Sequence, residues 1–148
     1  MDCKDDMDCF IRAAQTCQRA KMSGTSSLFI FGVTITSRGA TLIRGGSLDA
    51  CKVYMRSERV EVKIDEELTQ QLIANGMTRQ ELVQKQREAT RMAHEMDGMD
   101  GTCVFKTKVY LALLKKWHGG ASSTSDWKLG QCQGRMFSGN RLKLKVKP

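Results

Sequence analysis

Six cysteines, Cys3, Cys9, Cys17, Cys51, Cys103 and Cys132, are spread along 148 residues, and no two of them stand at C-x2-C spacing. Zinc sites bring their ligands in such close pairs so that a short loop can wrap a tetrahedral ion. The two histidines, His94 and His118, have no cysteine at ligand spacing either, so no metal-binding set is expected. An even, scattered set suits disulfides, and with them an oxidising compartment. The alternative is a cytosolic chain whose thiols stay free and pack as small apolar groups. Six cysteines allow fifteen pairings, and spacing alone does not choose among them. One restriction holds: a helix over Asp6 to Ala20 would set Cys9 and Cys17 roughly 12 Å apart along its axis, beyond the roughly 7 Å Cα limit of a bridge. These two are therefore expected to bond to different partners.

A chain of this length can bury roughly two-thirds of its unfolded surface in one core. Residues 1–137 are expected to form a single domain, with 138–148 as a basic C-terminal strand or tail. The longest apolar run, Leu28-Phe29-Ile30-Phe31, has the length of a strand and falls far short of the roughly 20 residues of a membrane helix. No transmembrane segment is expected. The N-terminus, Met1-Asp2-Cys3-Lys4-Asp5-Asp6, has neither the basic n-region nor the apolar h-region of a secretory signal. Two settings stay open: the cytosol, or export with the signal absent from this sequence.

Along the chain, Cys9, Ala13 and Cys17 recur at helical spacing behind an acidic start, which predicts an N-terminal helix. Ser23-Gly24-Thr25-Ser26-Ser27 reads as a break. Strands are expected over Leu28 to Thr36, Ala40 to Ile43, Cys51 to Met55 and Arg59 to Ile64, with turns at Ser37-Arg38-Gly39 and Gly45-Gly46-Ser47. In the last of these, Val60, Val62 and Ile64 should face inward and Arg59, Glu61 and Lys63 outward. Asp65 is a good N-cap for a helix Glu66 to Ala74, and Thr78-Arg79-Gln80-Glu81 is a capping box opening a mostly exposed helix to about Met96. A further helix is expected over Val109 to Trp117, then a loop from Ala121 to Asp126 and an extended run from Trp127 to Phe137. The fold class is α+β: an N-terminal helix, an antiparallel β-meander of about four strands, three further helices and a C-terminal strand.

Catalytic chemistry finds little support. A cysteine nucleophile needs a histidine within reach, and sequence places neither His94 nor His118 beside a thiol; surface or capping roles suit both. Glu95, Asp97 and Asp100 lie in a glycine-bearing turn but lack the twelve-residue ligand pattern of a calcium loop. The glycines form no phosphate-cradling motif. No catalytic residue, metal or cofactor is therefore assigned. Positive charge is concentrated late in the chain of net charge +8: Arg135, Arg141, Lys143, Lys145 and Lys147 follow residue 134 with no acidic residue among them. The alternation Arg141-Leu142-Lys143-Leu144-Lys145-Val146-Lys147 would give a strand one cationic and one apolar face. Arg141, Lys143, Lys145 and Lys147 are candidate anion-binding residues, and otherwise guards of a sheet edge. No aromatic residue interleaves with them to stack bases.

The segments Cys9-Phe10-Ile11-Arg12-Ala13-Ala14-Gln15-Thr16-Cys17, Cys51-Lys52-Val53-Tyr54, Asp100-Gly101-Thr102-Cys103-Val104-Phe105 and Cys132-Gln133-Gly134 resemble a small cysteine-containing prokaryotic extracytoplasmic domain of unknown function. The resemblance covers most of residues 3–137 and implies an exported, often membrane-anchored setting with disulfides; it brings no activity. The expected function is a non-catalytic, disulfide-stabilised, periplasmic or secreted domain binding a protein, peptide or envelope component through its sheet or the Ala121 to Asp126 loop. The rival from another class is a cytosolic nucleic-acid-binding module using the basic C-terminal segment with Lys106, Lys108, Lys115 and Lys116. A thiol enzyme is a third possibility.

Overall fold

A computed structural model describes residues 1–121 and 123–137. Among the described residues, four α-helices and one six-stranded sheet form a mixed α and β fold. In chain order they are β1 (Asp2–Lys4), α1 (Met7–Ala14), β2 (Ala20–Ile30), β3 (Val33–Gly46), β4 (Cys51–Ile64), α2 (Glu66–Ala74), α3 (Arg79–His94), β5 (Asp100–Phe105), α4 (Thr107–His118) and β6 (Gln131–Gln133). Short 3-10 turns at Thr124–Leu129 and Arg135–Phe137 flank β6.

The strands lie in the sheet in the same order as in the chain. Strand β1 runs parallel to β2, whereas β5 is antiparallel to both β4 and β6. Only two residues separate β2 from β3 and four separate β3 from β4. A parallel crossover needs a dozen or more residues, so both pairs are antiparallel.

The N-terminal helix is present but stops at Ala14 rather than Ala20. Cys17 adopts a left-handed conformation (φ 51°), its N–H donates to the Ala14 carbonyl and that of Gln18 to the Ala13 carbonyl. This is the closing geometry of a helix whose C′ position usually falls to glycine. The meander holds three long strands in place of four shorter ones. Its first turn falls at Phe31-Gly32, inside an expected strand, while Ser37-Arg38-Gly39 continues through β3 and Arg56-Ser57-Glu58 through β4. Pairing with β2 and β4 overrides the local turn signal in β3, and pairing with β3 overrides it in β4. The stretch from Trp127 to Phe137 is not one extended run, because the two 3-10 turns confine the strand to three residues. The expected strand Arg141 to Lys147 lies outside the described residues.

Helix α2 begins and ends where its caps predict: the Asp65 carboxylate accepts from the Leu68 N–H at 2.7 Å. The capping box of Thr78 and Glu81 opens α3. In β4, Val60 is buried, Val62 and Ile64 are half-buried, and Arg59, Glu61 and Lys63 are exposed.

The chain divides into two compact units. One comprises Met1–Gly24, Ala40–Arg56 and the described residues from Met99 onward; the other comprises Thr25–Gly39 and Ser57–Gly98. The first holds the main core, in which Phe10 and Ala14 of α1 and Tyr110, Leu113 and Leu114 of α4 pack with Val53, Cys103 and Phe105 of the sheet. Three cysteine pairs, Cys3–Cys9, Cys17–Cys51 and Cys103–Cys132, stand at disulfide distance within this unit. Cys9 and Cys17 thus bond to different partners. The second unit buries Val60, Leu82 and Ala93 among its described residues.

Candidate functional site

The second unit carries the least sheltered apolar surface. Strands β2 and β3 meet in a two-residue turn whose residues both have positive φ, Phe31 at 48° and Gly32 at 83°. That geometry matches the right-handed twist of a hairpin, but it forces an aromatic residue into a conformation normally left to glycine or asparagine. Phe31 is 93% exposed, Phe29 64% and Leu28 55%. These residues belong to the longest apolar run in the sequence, whose strand-length continuity suggests burial instead.

The tip is braced from below. The Asp65 N–H donates to the Gly32 carbonyl at 2.9 Å, tying the turn to the start of α2. A Cβ at Gly32 would lie 2.7 Å from the Leu68 Cβ, so only glycine permits this approach. Phe29 and Phe31 on one side and Asp65, Glu67 and Leu68 on the other line an open hollow of about 410 Å³. Its floor is apolar and its α2 rim is acidic. The acidic side chains have a structural role as well, since negative charge stabilises a helix N-terminus.

The two long edges available to this unit differ. On β4, the Gln86 side chain of α3 accepts from the Ile64 N–H and donates to the Val62 carbonyl. Asp97 accepts from the Val60 N–H at 2.9 Å, and the Gly98 N–H donates to the Ser57 carbonyl at 2.6 Å. Backbone that leaves the ladder with β5 is thus satisfied by α3 and the turn after it. On β2, pairing with β1 is confined to Lys21 and Met22. Among the described residues, nothing pairs with that side of the strand beyond Met22, and Thr25 to Phe29 are exposed.

Other constellations are internally satisfied. Asp126, almost fully buried, accepts from Lys116 Nζ at 2.6 Å, Trp117 Nε1 at 2.9 Å and the Ser123 N–H at 3.0 Å. The Lys116 ammonium above all, then the indole and the amide, hold its carboxyl far below the usual carboxylate range. This network pins the turn Thr124–Leu129 to α4 and turns the far end of the expected Ala121 to Asp126 loop inward. Its sequence signal was the Ser123-x-x-Asp126 spacing ahead of Trp127. Asp97 meets His94 Nδ1 at 2.7 Å, and this bond, with that from Val60, lowers its pKa. His118 Nε2 lies 3.6 Å from Asp8. Asp100 accepts from the Tyr54 hydroxyl at 2.9 Å, which raises the phenol's pKa.

Cys3, Cys9, Cys17, Cys51, Cys103 and Cys132 are all paired, so the oxidised chain offers no thiolate. No group of three or more His, Cys, Asp or Glu side chains is placed to hold a metal among the described residues. Of the basic candidates, Lys116 is engaged by Asp126, Lys106, Lys108 and Lys115 are exposed on or beside α4, and Arg141, Lys143, Lys145 and Lys147 lie outside the described residues. No helix among the described residues is long and apolar enough to cross a membrane. No protein-family model, curated protein or solved structure matches the chain.

Proposed function

We propose that the chain is a non-catalytic, disulfide-stabilised exported domain that binds a protein or peptide through the β2–β3 arm. The observation that carries this reading is the exposure of Leu28, Phe29 and Phe31 together on a tip that Gly32 and Asp65 hold in place. Isolated exposed apolar residues are ordinary, but a contiguous group on a braced element marks an interaction surface. The three cysteine pairs support an oxidising compartment.

Two measurements test the two halves. Alkylation of freshly isolated protein under denaturing, non-reducing conditions, followed by intact mass, should find no labelled cysteine; six labels would end the exported reading. A photo-crosslinking amino acid at Phe31, compared in cells with one at exposed Gln84 of α3, should give discrete adducts only at the tip. Equal yields at both positions would remove the arm as the binding surface.

A further inference from the structure

We infer that the open edge of β2 pairs with the same edge of a second copy of this chain, giving a two-fold antiparallel β-ribbon. This rests on the arm being a binding surface and names its partner. An unpaired strand edge presents a row of N–H and C=O groups that templates another strand, and proteins that stay monomeric blunt it with lysine, proline, a bulge or a covering element. The β4 edge is treated in that way: Gln86, Asp97 and Gly98 occupy its backbone groups, and Glu58, Arg59, Glu61 and Lys63 stud the strand. Beyond Lys21 and Met22, which β1 covers, strand β2 carries neither of the residue guards, lysine or proline. From Met22 to Ser37 the chain holds no charged residue and no proline, and beyond Met22 no described residue pairs with its outer side.

Charge selects the occupant. In a two-fold antiparallel pair each residue faces one from the same short stretch of its copy, so any charge there would meet its like. A wholly neutral stretch removes that penalty in every register. Strand addition of this kind gains affinity from main-chain bonds and specificity from alternate side chains. Here the hydroxyls of Ser23, Thr25, Ser26 and Ser27 and the exposed Leu28 and Phe29 would line the seam.

The test is sedimentation equilibrium of the oxidised full chain over a concentration series, with two double variants, Thr25→Lys with Ser27→Lys and Thr25→Glu with Ser27→Glu. The wild type should dimerise. Each variant alone should raise the dissociation constant by at least roughly tenfold, and an equimolar mixture of the two should recover the dimer. That recovery also establishes that both variants fold. Backbone amides of Ser23 to Phe29 should gain exchange protection as wild-type concentration rises, a readout that needs no substitution. A wild type monomeric up to roughly 1 mM, or a dimer equally strong in both variants, overturns the proposal. Should the wild type be monomeric while Phe31 still crosslinks to another protein, the self-pairing falls and the binding reading stands.

Discussion

Asp126 and Tyr110 show two opposite ways of burying a polar group. Every strong donor near Asp126 points at its carboxylate, and its lowered pKa means that the folded state prefers the ionised form. The stabilisation is therefore complete above the unfolded carboxylate's pKa of about 3.9 and is lost as pH falls through that value toward the folded one. Asp126→Asn should lower the thermal midpoint at pH 7, and the gap to wild type should narrow below about pH 4. A gap independent of pH would show that the carboxylate's charge is not what matters. Tyr110 is the reverse case. Its ring stacks on Phe105 at 5.3 Å, and its hydroxyl is buried without a hydrogen-bond partner among the described residues. Burial raises its pKa strongly. Removing an unsatisfied buried hydroxyl leaves no orphan behind, so Tyr110→Phe should be neutral or stabilising by up to about 1 kcal/mol in urea unfolding; a clear loss of stability would reveal a bond that the hydroxyl makes.

Elements whose signals are local could be read in advance, and those set by distant pairing could not. The N-cap Asp65 and the box of Thr78 and Glu81 act within one helical turn, and α2 and α3 start where those residues say. The hairpin turn was hidden because Phe31 takes a left-handed conformation that its side chain disfavours, so the apolar run concealed a turn. Ser23 to Ser27 have weak strand preference, yet they extend β2 because β3 lies beside them. The candidate arm was missed for the same reason: a turn inside the run exposes its side chains. Gly32→Ala should then cost about 1–3 kcal/mol, since a side chain there meets both positive φ and the Leu68 Cβ. The same change should loosen the tip and weaken the Phe31 crosslink. An unchanged denaturation midpoint would mean that the tip is not braced by α2.

For the whole molecule, the cysteine pattern was legible as disulfides, but the pairing awaited the fold, because helix α1 had to end at Ala14 before Cys17 could reach Cys51. The three pairs span 34, 29 and 6 residues. Loop-closure entropy therefore ranks them: replacing Cys17 and Cys51 by serine should cost roughly 4 kcal/mol, Cys103 and Cys132 slightly less, and Cys3 and Cys9 roughly 2 kcal/mol. Unfolding of the three double variants would check that order, and equal losses would point to native-state contacts rather than the unfolded chain.

The pairs also follow one another without crossing or nesting: first with second, third with fourth, fifth with sixth. A chain threading N-terminus first through a translocation pore would present each cysteine to the next one to emerge. A dithiol oxidase that joins cysteines as they arrive thus makes the native set directly, with no bond to reshuffle. If the chain is exported as proposed, its yield should depend on such an oxidase and stay the same in cells that lack a disulfide isomerase.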